Sequence, residues 1–148
     1  MTDIVEFLTA RLAHDQAEAE AARDAHMGYY ATEGDAQWCV SDMGEGVHTE
    51  PHGAVVVVGS HGHLNDSVAH HIARHDPARV LAEVKAKRAI VALHMPEFVE
   101  TINPDGDERS GDVCTLCDEA WPCDTLKLFA APDYQHPHYQ QAWSVNLT

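Results

Sequence analysis

Positive charge is what this chain has least of. Nine lysines and arginines face 24 aspartates and glutamates over 148 residues, for a formal net charge of −15. A surface of that sign repels phosphate backbones, which disfavours direct binding of DNA or RNA. The imbalance is uneven: residues 1–50 hold eleven acids against two bases, residues 101–148 hold eight against two, and the middle third holds five of each. The acids are scattered among alanine, glycine and histidine. That pattern reads as a solvated surface rather than the dense stripe of a nucleic-acid mimic. Long apolar runs are also missing. The longest, Ala54 to Val58 and Ala89 to Leu93, fall far short of the roughly 20 residues that cross a bilayer. The opening MTDIVEFL carries acids in place of a basic n-region, which argues against a signal peptide. There is no G-x-S-x-G elbow, no Walker loop and no dinucleotide fingerprint, so no common nucleophile or phosphate-binding chemistry is signalled. Only four cysteines occur, three of them clustered. That usage suits a reduced, cytoplasmic protein better than a disulfide scaffold.

What is present begins with that cluster. Cys114, Cys117 and Cys123 lie within GDVCTLCDEAWPCDTL. Thiolates at these spacings suit a soft metal centre, and a structural zinc site takes four sulfur or nitrogen donors in a tetrahedron. Cys123 precedes a short helical pattern, where the positive end of a helix favours a thiolate. The favoured fourth ligand is His94, at the end of the strongest helical pattern in the chain. His136 and His138 are weaker candidates. A Cys3His zinc site would clamp the C-terminal segment to that helix. The alternative is an iron–sulfur cluster held by Cys39 with the three clustered cysteines. The CxxCx5C spacing is similar to that of the Wbl iron–sulfur regulators, but Cys39 is much farther away than in that family, and the Gly-Trp-Gly-Gly-like turn is missing.

At this length the expected fold is one α+β domain, 1–148, mostly helical, with a small antiparallel hairpin and a zinc-stabilised C-terminal segment. Residues 1–27 read as a helix with Ile4, Leu8 and Leu12 on one thin apolar face and Gly28 as its stop. Residues 37–59 read as a hairpin of Trp38–Val40 with Ala54–Val58, joined by a long connection, Ser41 to Gly53. Residues 64–94 read as a helical core. Asn65 or Asp66 caps its first helix, and Asp76-Pro77 starts the second, which carries Val80, Val84 and Val91 on one face. Residues 95–148 hold a loop, Met95 to Gly111, then the cysteines, a helix from Asp124 to Ala131, and an aromatic tail that packs back.

Twelve histidines is a high count, with five between 61 and 75. Ser60-His61-Gly62-His63 follows a strand, and an H-x-H pair with Asp66 offers an alternative metal site for a hydrolase. Its spacing departs from the common H-x-H-x-D-H pattern, and surface histidines are the plainer reading. Arg74, His75 and Arg79 gather at the start of the second core helix, where an anion or a partner could bind.

The block His71 to Arg88 (HIARHDPARVLAEVKAKR) resembles a family of small uncharacterised proteins from actinobacteria and their phages. The opening DIVEFLTARLAHD and the end PCDTLKLFAAPDYQHPHYQQAW are similar to the same family. The resemblance implies that a histidine after the long helix pairs with the later cysteines, here His94, Cys114, Cys117 and Cys123. It implies no activity. The resulting expectation is a non-enzymatic, acidic accessory protein of the cytoplasm that acts on a protein partner. A metal-dependent hydrolase and an iron–sulfur redox sensor are the alternatives. Neither the partner nor the oligomeric state is written in the sequence.

Overall fold

The computed structural model describes residues 3–25, 37–42, 46–50, 53, 55–59, 63–102 and 108–145. The expected helix stop at Gly28 and the histidines His52 and His61 lie outside these residues. The fold is α+β, with four α-helices and two small antiparallel sheets among the described residues. None of the helices there is long and apolar enough to cross a membrane. The chain groups into two compact units: Ala13–Lys85, and Met1–Leu12 together with Ala86–Thr148.

The unit Ala13–Lys85 holds a three-stranded sheet of β1 (Gln37–Val40), β2 (Gly46–Glu50) and β3 (Val55–Val58), in that order and antiparallel throughout. This corrects the expected hairpin. The two strands legible in the sequence are not neighbours, and the connection between them contains the central strand. β2 alternates as a half-buried strand should: Val47 and Thr49 are buried, while His48 is half-buried and Glu50 exposed. Gly46 sits so close to β3 that a Cβ there would collide with the Val57 carbonyl oxygen. A register shift between Val47 and His48 bends the β2–β3 pairing.

α2 (Asp66–Arg74) packs on β1 and β2 and buries Ala69. Its N-cap is Asn65, whose side chain accepts from the Ser67 N–H at 3.0 Å. One residue past its C-cap, Asp76 caps α3 (Pro77–Leu93): its carboxylate accepts from the Arg79 N–H at 2.6 Å, and its carbonyl accepts from the Val80 N–H at 3.0 Å. Proline suits the first helical position because its missing N–H would have had no partner. Val84 and Val91 of the expected stripe are buried, and Val80 is half-buried.

In the unit formed by the chain's two ends, the first turns of α1 (Ile4–Ala25) bury Ile4, Phe7, Leu8 and Leu12. Phe7 is the anchor for the tail. Its ring lies 5.5 Å from His136, 6.1 Å from Tyr139 and 5.2 Å from Trp143, in edge-on and tilted geometries. Arg11 pairs with Asp133 at 3.3 Å alongside this cluster. The tail therefore packs back as its composition implied. The expected loop Met95–Gly111 is corrected: it contains β4 (Pro96–Ile102), which pairs antiparallel with β5 (Glu108–Cys114) in continuous register from Pro96↔Cys114 to Ile102↔Glu108. α4 (Asp124–Ala130) buries Leu126 and Ala130, and a 3-10 turn at Ala131–Asp133 continues it.

Two measurements check this packing. Asp76→Ala is expected to cost about 1 kcal/mol of stability in urea unfolding, with Asp76→Asn keeping most of it, because either oxygen-bearing side chain can cap. Phe7→Ala is expected to cost about 3–5 kcal/mol and to release the tail, seen as new protease cleavage beyond Ala131.

Candidate metal centre

Four elements deliver the candidate ligands. α3 ends at Leu93, the His94 N–H donates to the Val91 carbonyl at 3.1 Å, and Pro96 begins β4. His94 is thus pinned between a helix end and a strand start. Cys114 is the last residue of β5 and pairs with Pro96, which places it beside His94. A turn over Thr115–Cys117 follows. It is closed by the Asp118 N–H donating to the Cys114 carbonyl at 2.9 Å, with Asp118 in the left-handed region at φ 61°. The chain then runs back along β5. Cys114 N–H donates to the Glu119 carbonyl at 2.8 Å, Val113 bridges Ala120, and Trp121 N–H donates to the Asp112 carbonyl at 2.9 Å. That return presents Cys123 as the N-cap of α4.

The result is convergence on one point. The Sγ atoms of Cys114, Cys117 and Cys123 each lie 3.3 Å from His94 Nδ1. All four donor atoms lie within 4.8 Å of one another. His94 is 4 % exposed, Cys114 0 % and Cys123 1 %, and Cys117 is half-buried. From metal–sulfur and metal–nitrogen bonds of about 2.3 and 2.0–2.1 Å, a tetrahedral ion sets its nitrogen–sulfur edges at about 3.6 Å. The three observed edges are close to that value and equal to one another. The donor set suits a single soft or borderline divalent ion.

The thiols are electrostatically unequal. Burial pushes the Cys114 thiol up, but several hydrogen bonds together outweigh it: the backbone N–H groups of Cys117 and Leu116, then His94 and Cys123. Its pKa settles at about 7. Cys117 is pushed up to about 11, first by loss of solvent and then by the sulfurs of Cys114 and Cys123. Three sulfurs this close cannot all ionise cheaply without a cation among them.

Thr115 is a support that sequence reasoning missed. Its N–H donates to the Met95 carbonyl at 2.9 Å. Its hydroxyl accepts from the Met95 N–H at 3.3 Å and donates to the Leu93 carbonyl at 3.5 Å. These bonds lock the cysteine turn to the residues flanking His94. No spacing rule flags a threonine in this role; only the paired backbone reveals it.

The remaining candidates are placed elsewhere. Cys39 sits half-buried in β1 and is not a member of the converging group. Burial and the neighbouring Glu50 carboxylate push its thiol upward. His63 and Asp66 are exposed, Asp66 opening α2, and His61 lies outside the described residues. At the start of α3 the N–H group of Arg79 is taken by the Asp76 carboxylate, and the Arg79 side chain pairs with Glu83 at 2.7 Å. Arg74 and His75 are exposed. His136 joins the Phe7 cluster, and its Nδ1 accepts from the His138 N–H at 3.2 Å.

The chain belongs to DUF6221, a family of unknown function, whose model matches residues 1–145. No curated protein and no solved structure matches it.

Proton release tests the thiol chemistry. A metal takes thiolates, so binding displaces the Cys117 proton at any pH below about 11, and the Cys114 proton only below about 7. The number of protons released per ion is therefore expected to rise as pH falls from 8 to 6. Calorimetry of metal binding in buffers of different ionisation enthalpy measures that number. A release that stays flat across this interval would contradict the assignment.

Proposed function

We propose that this member of DUF6221 is a non-enzymatic accessory protein whose C-terminal segment is held by a structural Zn2+ bound to His94, Cys114, Cys117 and Cys123. The observation that carries this reading is the equal 3.3 Å spacing of three sulfurs around one imidazole nitrogen. Zinc has no geometric preference of its own and accepts such a tetrahedron. Four protein donors leave no open position for water or substrate, which is the signature of a structural rather than a catalytic ion. Convergence on a single point favours a mononuclear ion over an iron–sulfur cluster, and the imidazole in the fourth place favours zinc further. The ion would contribute about 10 kcal/mol or more of apparent folding free energy. It would do so in a segment whose second sheet leaves Glu97, Phe98, Glu100, Ser110 and Asp112 exposed.

The wider reading is that of an acidic, cytoplasmic protein, encoded by a phage or prophage and acting on a host protein. It rests on the resemblance of the His71–Arg88 block to actinobacterial and phage proteins and on the net charge of −15. The four free thiols suit a reducing compartment. Affinity capture from an actinobacterial lysate identifies the partner.

Elemental analysis of the purified chain tests the metal. One zinc per chain is expected, released by a thiol-modifying reagent together with loss of near-ultraviolet dichroism. Cys114→Ser and His94→Ala are expected to lose the zinc, and Cys39→Ser to retain it. A brown protein that bleaches in air, or a zinc content unaffected by Cys114→Ser, refutes the proposal.

A further inference from the structure

The last turn of α2 carries a second feature with the chemistry of a metal site. His71 and His75 are four residues apart, both exposed, with ring centroids 4.5 Å apart and planes at 45°. Four residues is the helical spacing that stacks side chains on one face, and it is the spacing by which paired histidines chelate a metal from a helix. α2 packs on the sheet through Ala69, and both histidines lie on the opposite side of the helix.

The second observation concerns tautomer. His75 is the C-cap, at φ −105° and ψ 41°, and its N–H donates to the Ile72 carbonyl at 3.0 Å. Its ring folds back so that Nδ1 lies 2.8 Å from the His71 carbonyl oxygen. A carbonyl oxygen can only accept, so Nδ1 carries the proton. In the neutral ring the lone pair then sits on Nε2, pointing away from the backbone. A ring N–H held by a backbone carbonyl is the usual outer support of a metal-bound histidine, because it fixes the tautomer and orients the ring.

We propose that His71 and His75 form an exposed, exchangeable binding site for borderline divalent transition ions such as Ni2+, Cu2+ and Zn2+, separate in ligands and in function from the Cys3His centre. Imidazole nitrogen selects this class of ion over Mg2+ or Ca2+. Two protein donors leave the other coordination positions to water, so binding is reversible where the Cys3His ion is retained. Arg74 stands in the same turn, so the attraction comes from nitrogen coordination and not from net negative charge.

Zinc-loaded, 15N-labelled protein is titrated with Ni2+ at pH 7.5 in a buffer that does not chelate metals. Paramagnetic broadening is expected first and strongest at residues 70–76, and calorimetry gives the affinity. His71→Ala is expected to weaken Ni2+ binding at least tenfold with the melting temperature unchanged. The cap uses the backbone carbonyls of Ile72 and His71, not the His71 side chain, so this variant removes a ligand and leaves the cap intact. His70→Ala, one residue round the helix, is expected to bind as the parent does. Unchanged affinity in His71→Ala overturns the proposal, as does broadening centred anywhere else, including His136 and His138. Uptake seen only as a sulfur-to-nickel charge-transfer band, indifferent to His71→Ala, overturns it as well.

Discussion

Three cysteine sulfurs aimed at one imidazole nitrogen set the terms for the unit that contains them. Without a cation the arrangement is frustrated. Cys114 is drawn towards ionisation by the N–H groups of Cys117 and Leu116, while Cys117 is driven away from it by loss of solvent and then by its sulfur neighbours. A divalent ion turns repulsion among the thiols into four bonds. The surrounding structure then follows as a set of supports: the β4–β5 register that puts Cys114 beside His94, the Thr115 bonds on either side of it, and the return strand that carries Cys123 to the head of α4.

That dependence explains which parts of the fold the sequence could reveal. The ligand set was legible because cysteine and histidine announce their chemistry by identity and spacing, and His94 follows the most periodic helix. The helices α2 and α3 were legible because Asn65 and Asp76 are caps with a mechanism, and both are seen bonding as caps. The second sheet was not. Its residues Glu97, Phe98, Glu100, Ser110 and Asp112 are exposed, and Val99, Gly111 and Val113 are only half-buried, so the alternation is weak. Its register is held by backbone bonds and by the cluster at its base. β2 escaped for a related reason: only Val47 and Thr49 turn inward, and one of the two is polar.

The abundance of histidine carries less information than the cysteine spacing does. A dense run of one residue type invites a single explanation, yet the imidazoles here divide among unlike tasks. His94 is buried and faces sulfur, His136 packs edge-on against Phe7, and His75 closes the end of a helix. Each role depends on what surrounds the ring, which for His75 and His136 is a property of conformation that spacing does not show.

The contact of Phe7 with Trp143 and Tyr139 joins segments from near the two ends of the chain. During synthesis, at roughly 5–20 residues per second, Phe7 leaves the ribosome seconds before its partners exist. The three cysteines also arrive in the last third of the message. The unit Ala13–Lys85 is continuous in sequence. Connectivity therefore imposes an order: the ring contacts of Phe7 and the cysteine centre can form only after residues 114–143 have been made. Phe7 must wait for its ring partners until residues 136–143 emerge. For that interval the nascent chain carries Phe7 without the ring contacts it makes in the finished fold.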